Sequence, residues 1–227
     1  VQKAFPAFRL FCKCLQGIAI QRIDLIVSIP QACSSFLSAF EKAKSESFDA
    51  KVIIEEFVEG REFTCEMLGD NYGNVCVYAI SVKYHTLNTC NNKIATKLHY
   101  NSDLYSDDIY KNIAIIGREC YKSLGLKSSF GHLEIIMKEN GTFSPIEIGA
   151  RSSGYIASPL VSLASGHDYF ADYLNVLKGK KLKDNDYLNG NTSSMYFFYD
   201  MPHGTQVINP CCLMDYLPIS IKSEYNN

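Results

Sequence analysis

The 227-residue chain has no surplus of basic side chains. Lys and Arg total 22 against 24 Asp and Glu, a net charge of −2. A nucleic-acid backbone or an anionic membrane surface calls for a cationic face, so neither partner is expected. No apolar run approaches the roughly 20 residues that span a bilayer. The nine Cys are too few for a disulfide scaffold of this length and too badly spaced for zinc. Cys12 and Cys14 are one residue apart, Cys211 and Cys212 are adjacent, and no second pair follows at finger spacing. Reduced, mostly buried thiols in a cytosolic protein are expected. No Ser/His/Asp or Cys/His arrangement suggests a side-chain nucleophile. No cationic end leads into an apolar run and a cleavage site, so no signal peptide is read. The chain opens at Val1, in what reads as the middle of a domain, which suggests the C-terminal part of a longer protein.

Hydrophobic residues make up 47 % and charged residues 20 %, enough apolar content to build a packed core in one large or two small domains. Phe5-Pro6 and Phe8 suggest the start of a strand, and residues 18–27 are apolar and β-rich. A helical period follows over 31–47, with Cys33, Phe36, Leu37, Phe40 and Ala43 on one face. Residues 51–58, 62–68 and 74–82 read as an antiparallel three-strand meander. Its middle strand puts Phe63, Cys65 and Met67 on one face and Glu62, Thr64 and Glu66 on the other. The polar, Asn-rich stretch 85–103 reads as a loop. Ser106 caps a helix whose expected stripe is Ile109, Ile113, Ile116, Cys120 and Leu124, with Gly125 ending it. Two strands, 131–138 and 142–148, flank Asn140-Gly141, a hairpin turn signal. A helix over 160–178 is broken near Gly166. A polar connector and an aromatic strand at 193–199 complete the chain.

The most informative stretch is this second hairpin. Phe130-Gly-His-Leu-Glu134 and Pro145-Ile-Glu147-Ile-Gly-Ala-Arg151 place one acid on each strand. Each acid is flanked by apolar residues, so alternation puts it on the face opposite its neighbours. Two acids projecting together repel unless a cation lies between them. An all-oxygen donor pair suits Mg²⁺, which commonly takes one or two carboxylates plus substrate phosphates. Arg151 could supply a fixed fork for a phosphate or a developing oxyanion. The bland alternative is two surface acids with Arg151 as their ion-pair partner. A second cluster, Glu55-Glu56-Phe57-Val58-Glu59-Gly60-Arg61-Glu62, ends an apolar strand in a polar bend. It either presents backbone groups to a purine edge or is a charged strand end at a turn.

Together these clusters resemble the ATP-grasp superfamily, in its carboxylate–amine ligase and carbamoyl-phosphate-synthase-like branches, over roughly residues 31–178. The resemblance implies an α+β fold, with antiparallel sheets and flanking helices and with the family's N-terminal domain missing. Residues 1–58 would be part of the small subdomain, 59–180 the large subdomain with the metal site, and 181–227 an extension. It implies ATP and Mg²⁺ (or Mn²⁺) as cofactors and small-molecule carboxylate and amine substrates, with a homodimer as a further possibility. Glu55, Glu56, Phe57 and Val58 match the adenine hinge, and Glu62 the acid that binds the ribose hydroxyls. Ile136 and Ile146 match apolar residues against adenine, and Glu134 and Glu147 the metal carboxylates. Arg151 matches the cation near the transferred phosphoryl group. Lys83 and His99 are weaker candidates for phosphate or substrate contacts.

Two departures qualify the resemblance. Gly149 stands where many members carry Asn. The family's Gly/Ser-rich phosphate loop has no clear counterpart in residues 9–30, where Lys13 and Gly17 are the only candidate remnants. Three functions are therefore compatible with the sequence. One is an ATP-dependent carboxylate–amine ligase in partial form, another a nucleotide-binding remnant without turnover, and the third an unrelated α+β protein with surface acids.

Overall fold

In a computed structural model, the chain divides into two compact units, Val1–Phe197 and Phe198–Asn227. The structure describes residues 8–10, 25–27, 32–54, 58–87, 93–154, 157–183, 185–188 and 193–196, all in the first unit. Lys13, Gly17 and the hinge residues Glu55, Glu56 and Phe57 lie outside the described residues.

Two short strands, β1 (Phe8–Leu10) and β2 (Leu25–Val27), pair antiparallel, and helix α1 (Ala32–Glu46) follows. Ala43 of α1 is buried and Phe36 stacks on Phe40, but Leu37, expected on the same buried face, is 58 % exposed.

The main sheet contains β3 (Arg61–Gly69), β4 (Val75–Leu87), β5 (Lys93–Tyr100), β6 (Phe130–Met137), β7 (Phe143–Gly149) and β8 (Ser193–Tyr196). Its spatial order is β7-β6-β3-β4-β5-β8, and every neighbouring pair is antiparallel. The expected strand at 51–58 is not formed over its described residues, 51–54 and 58. Both edges of β3 are already paired, with β4 and β6, so the preceding segment has no free edge there to join. Conversely, the expected loop at 85–103 contains the end of β4 and all of β5. Its polar composition hid an alternation in which Leu98 and Tyr100 are buried while Lys97 and His99, which alternate with them, are less so.

Helix α2 (Asp107–Ser123) covers one sheet face. Its buried stripe is Tyr110, Ile113, Ala114, Gly117 and Tyr121, rotated from the expected one. Ile109, Ile116 and Cys120 flank it, and Leu124 is 59 % exposed. The rotation brings Gly117 close against the sheet. A Cβ there would lie 3.0 Å from Met67 Sδ and 3.1 Å from Cys65 Sγ, so a larger residue would require these side chains to give way. Ser106 is the N-cap residue, but its side chain makes no capping hydrogen bond.

Helices α3 (Ala157–Ser165) and α4 (Tyr169–Leu177) cover one end of the opposite face. Gly166, at φ 70°, separates them as expected. Asp168 caps α4 by accepting from Ala171 N at 2.9 Å. Leu68, Tyr78, Leu98, Tyr100 and Phe130 pack beneath them, with Tyr169 4.7 Å from Tyr78 and 4.6 Å from Phe130 between ring centroids. The β-bulge between Glu66 and Met67 leaves Tyr78 as the extra residue of β4 and lets it join this cluster beside Ala79. The expected polar connector acts as a strap. Asp186 accepts two bonds from Arg118 Nη1, at 2.7 and 2.6 Å, and a third from Val77 N at 3.0 Å.

The β6–β7 hairpin closes as the sequence indicates. Gly141 has φ 79°, a left-handed conformation that suits glycine, and Lys138 N donates to Thr142 O at 2.8 Å. Among the described residues no helix is long and apolar enough to cross a membrane.

Candidate active site

Antiparallel register decides which side chains meet. On β3, Glu62, Thr64 and Glu66 share the face opposite Phe63, Cys65 and Met67. Glu62 lies opposite Lys83 on β4 and Ile136 on β6. Thr64 lies opposite Ser81 and Glu134, and Glu66 opposite His132. Across β6, Glu134 faces Glu147 on β7, and His132 faces Gly149. The two acids proposed from the hairpin are thus direct cross-strand partners on the polar face.

Lys83 binds this face together. Its ammonium is 2.7 Å from Glu62 Oε1 and 2.8 Å from Glu134 Oε1. Burial alone would lower the Lys83 pKa, but the charges of Glu134 and Glu62 raise it, so the group is a cation. His85, two residues along β4, brings Nε2 to 3.2 Å from Glu62 Oε2. Glu62 is 3 % exposed, with its two oxygens held by these two side chains. A carboxylate oxygen has more than one lone pair, so a buried carboxylate paired in this way can still accept from hydroxyl donors.

His132 and Glu66 extend the cluster inward. His132 Nδ1 is 2.9 Å and 3.1 Å from the two oxygens of Glu66, which is fully buried. On the other side, His132 Nε2 lies 3.7 Å from Glu134 Oε1, an ion pair rather than a hydrogen bond. Burial pulls the His132 pKa down, but the Glu66 charge, supported by Glu134, raises it to about 9. The imidazole is therefore protonated at neutral pH. For Glu134, burial favours the protonated form, but His132 and Lys83 outweigh it and hold the carboxyl well below the usual range. Glu134 is thus an anion, as a metal ligand must be.

The other sequence candidates fall unevenly. Ile136 is buried on the polar face beside Glu62. Ile146 is half-buried and lies at the bulge between β6 and β7, so Ser144 is the partner of Ile136. Val58 is half-buried in irregular chain just before β3. Arg151 is exposed; its Nη1 donates to Ser152 O at 3.1 Å and it forms no salt bridge with Glu134 or Glu147. Its stem covers Gly149, where an added Cβ would lie 3.2 Å from Arg151 Cγ. His99 is opposite Val82, whose side chain is in the core under α2, so register puts His99 on the other face from Lys83.

Sequence reasoning assigned no role to Glu66, His132 or His85. The signal was alternation: each lies two or four residues from an assigned site residue on the same strand. What it could not supply was the register between β3 and β6, strands more than 60 residues apart.

Among the described residues no three His, Cys, Asp or Glu side chains form a ready-made metal cage. Mg²⁺ does not require one, since substrate phosphates and water complete its shell. The Glu134–Glu147 pair offers hard oxygen donors on adjacent strands, so the donor set fits such a cation.

The family model for the ATP-grasp domain matches residues 20–159, more than half of the chain. The chain belongs to the ATP-grasp family. The matched region includes all of β3 to β7 and every site residue named above. Comparison with curated proteins gives no match. Solved structures show the same fold. An L-amino acid ligase from Bacillus licheniformis is 22 % identical at TM-score 0.58, with 78 % of this chain and 40 % of that chain covered. The biotin carboxylase domain dimer of the Hydrogenobacter thermophilus 2-oxoglutarate carboxylase, in complex with MgADP, ADP and bicarbonate, is 18 % identical at TM-score 0.61. That match covers 81 % of this chain and 39 % of the other. A biotin carboxylase in complex with βγ-ATP from Campylobacter jejuni is 17 % identical at TM-score 0.58, covering 71 % and 35 %. The ATP-grasp chain described here therefore spans well under half the length of these relatives.

Proposed function

We propose that this ATP-grasp chain binds ATP and Mg²⁺ and serves a ligase that activates a carboxylate as an acyl phosphate and joins it to an amine. The observation that carries the reading is the register of β6 on β7, which sets Glu134 directly against Glu147 beside Lys83 and Glu62. Four carboxylates and two cations on a largely buried face are expensive to keep for stability alone. The MgADP and βγ-ATP complexes of its structural relatives support the same ligand class.

In this reading the backbone at Glu55, Glu56, Phe57 and Val58 meets the adenine edge, with Ile136 and Ile146 against the ring. Glu62 accepts from the ribose hydroxyls. Lys83 turns its ammonium toward phosphate oxygens, while Glu134 and Glu147 hold Mg²⁺. The bound ion would neutralise charge on the triphosphate. Arg151, exposed at the surface, stabilises charge on the transferring phosphoryl group and the acyl phosphate. Acyl transfer to the amine then needs no side-chain nucleophile. Residues 59–180 form the large subdomain of this machine, and a cytoplasmic enzyme acting on small molecules is the expected setting.

A second reading, a nucleotide-binding remnant without turnover, is favoured by one observation. Residues 9–30 contain a single glycine, Gly17, where a backbone amide cradle for phosphate needs several. Release of ADP and phosphate in the presence of paired amino acids separates the two readings. Amine-dependent release supports the ligase. Metal-dependent nucleotide binding without release from any carboxylate–amine pair supports the remnant.

A further inference from the structure

The polar face contains a device that the roles above leave unused. Glu66 and His132 are cross-strand partners, and Glu66 engages Nδ1 with both oxygens, at 2.9 and 3.1 Å. This two-point contact fixes the plane of the ring and places the Nδ1 proton toward Glu66. The opposite nitrogen, Nε2, is thereby aimed at Oε1 of Glu134, two residues along β6. Oε1 is also the atom that Lys83 holds, so both contacts fall on one oxygen and Oε2 takes part in neither. Across β7 the position facing His132 is Gly149, which has no side chain to brace the ring.

The geometry points to Glu66 and His132 as positioning residues for Glu134. They form a carboxylate–imidazole–carboxylate chain that pins one oxygen of the metal-binding acid and leaves the other out of these contacts. This inference rests on the reading of Glu134 as a metal ligand. Packing alone does not call for the pair. An apolar couple of similar volume would fill the same space at no loss of stability, and often with a gain. The charged pair is kept on the one stretch of β3 and β6 that adjoins Glu134.

The test titrates Mg²⁺, or Mn²⁺, at fixed ADP and follows thermal stability of the full chain. In His132→Leu the metal concentration at half-effect should rise about 10-fold or more, the range that loss of such supporting contacts produces. The response to ADP without metal should stay as in the wild type. His132→Gln, which keeps an amide nitrogen near the position of Nε2, should recover part of the shift. If His132→Leu fails to fold because Glu66 is left unpaired, Glu66→Leu/His132→Leu removes both charges and should show the same shift. An unchanged metal midpoint in the folded double variant overturns the inference. So does an equal loss of metal-free ADP response, which would mark a purely structural role. A wild type that responds to ADP but not to metal overturns the metal site itself, and the positioning role with it.

Discussion

The two faces of β3 are equally buried and built on opposite rules. Phe63, Cys65 and Met67 are fully buried among aliphatic and aromatic neighbours under α2. Glu62, Thr64 and Glu66, which alternate with them, are no more than 3 % exposed, yet every one is polar and two are charged. The first face gains free energy from removing apolar surface from water. The second spends some of it on desolvating ions that only just recover the cost by pairing. One strand thus separates an apolar face that holds the fold from a buried charged one.

The comparison can be broken most forcefully on the apolar side. Phe63→Ala should cost about 3–5 kcal/mol in chemical denaturation, the usual loss for a buried aromatic. A cost below about 1 kcal/mol would mean that α2 does not define the core. On the polar side, Glu66→Leu alone should cost a comparable ~3–5 kcal/mol, because it leaves the His132 cation buried without its partner. Adding His132→Leu should return most of that loss or better. A double variant as unstable as the single one would show that this face, too, is built for stability. The smallest effect is expected at Thr64, whose Oγ1 is 2.7 Å from Ser81 Oγ in a buried pair. Thr64→Val should cost about 1 kcal/mol, and Thr64→Val/Ser81→Ala less than the sum of the two single changes, since neither hydroxyl of this pair is then left without the other. Non-additivity in this pair, measured by a double-mutant cycle, is the check.

Local patterns were legible wherever one element carried its own signal. The hairpin at Asn140-Gly141, the break at Gly166, the α2 helix and the alternation along β3 all follow from residues close in sequence. The acids Glu134 and Glu147 were legible for the same reason: they lie on the two arms of one tight hairpin. The failures required knowledge of distant partners. Residues 51–54 are apolar enough for a strand but have no edge to join at β3, and β5 is polar in composition yet has two edges, against β4 and β8. The orientation of α2 brings Gly117 against Met67 and Cys65, a contact that no helical period reveals. Glu66 and His132 escaped notice because a buried ion pair is visible only once β3 and β6 are in register.

The most direct test of the account is thermal stability with and without Mg²⁺ and ADP, in the wild type and in Glu147→Gln. A ligand that binds only the folded chain adds about 2.7 kcal/mol at 100 times its Kd. The wild type should gain stability from ADP that depends on Mg²⁺. Glu147→Gln, a near-isosteric change at a half-buried position, should still fold and should lose the Mg²⁺-dependent part of the gain. A Mg²⁺-dependent gain that survives intact in Glu147→Gln would contradict the assignment of the hairpin acids as the metal site.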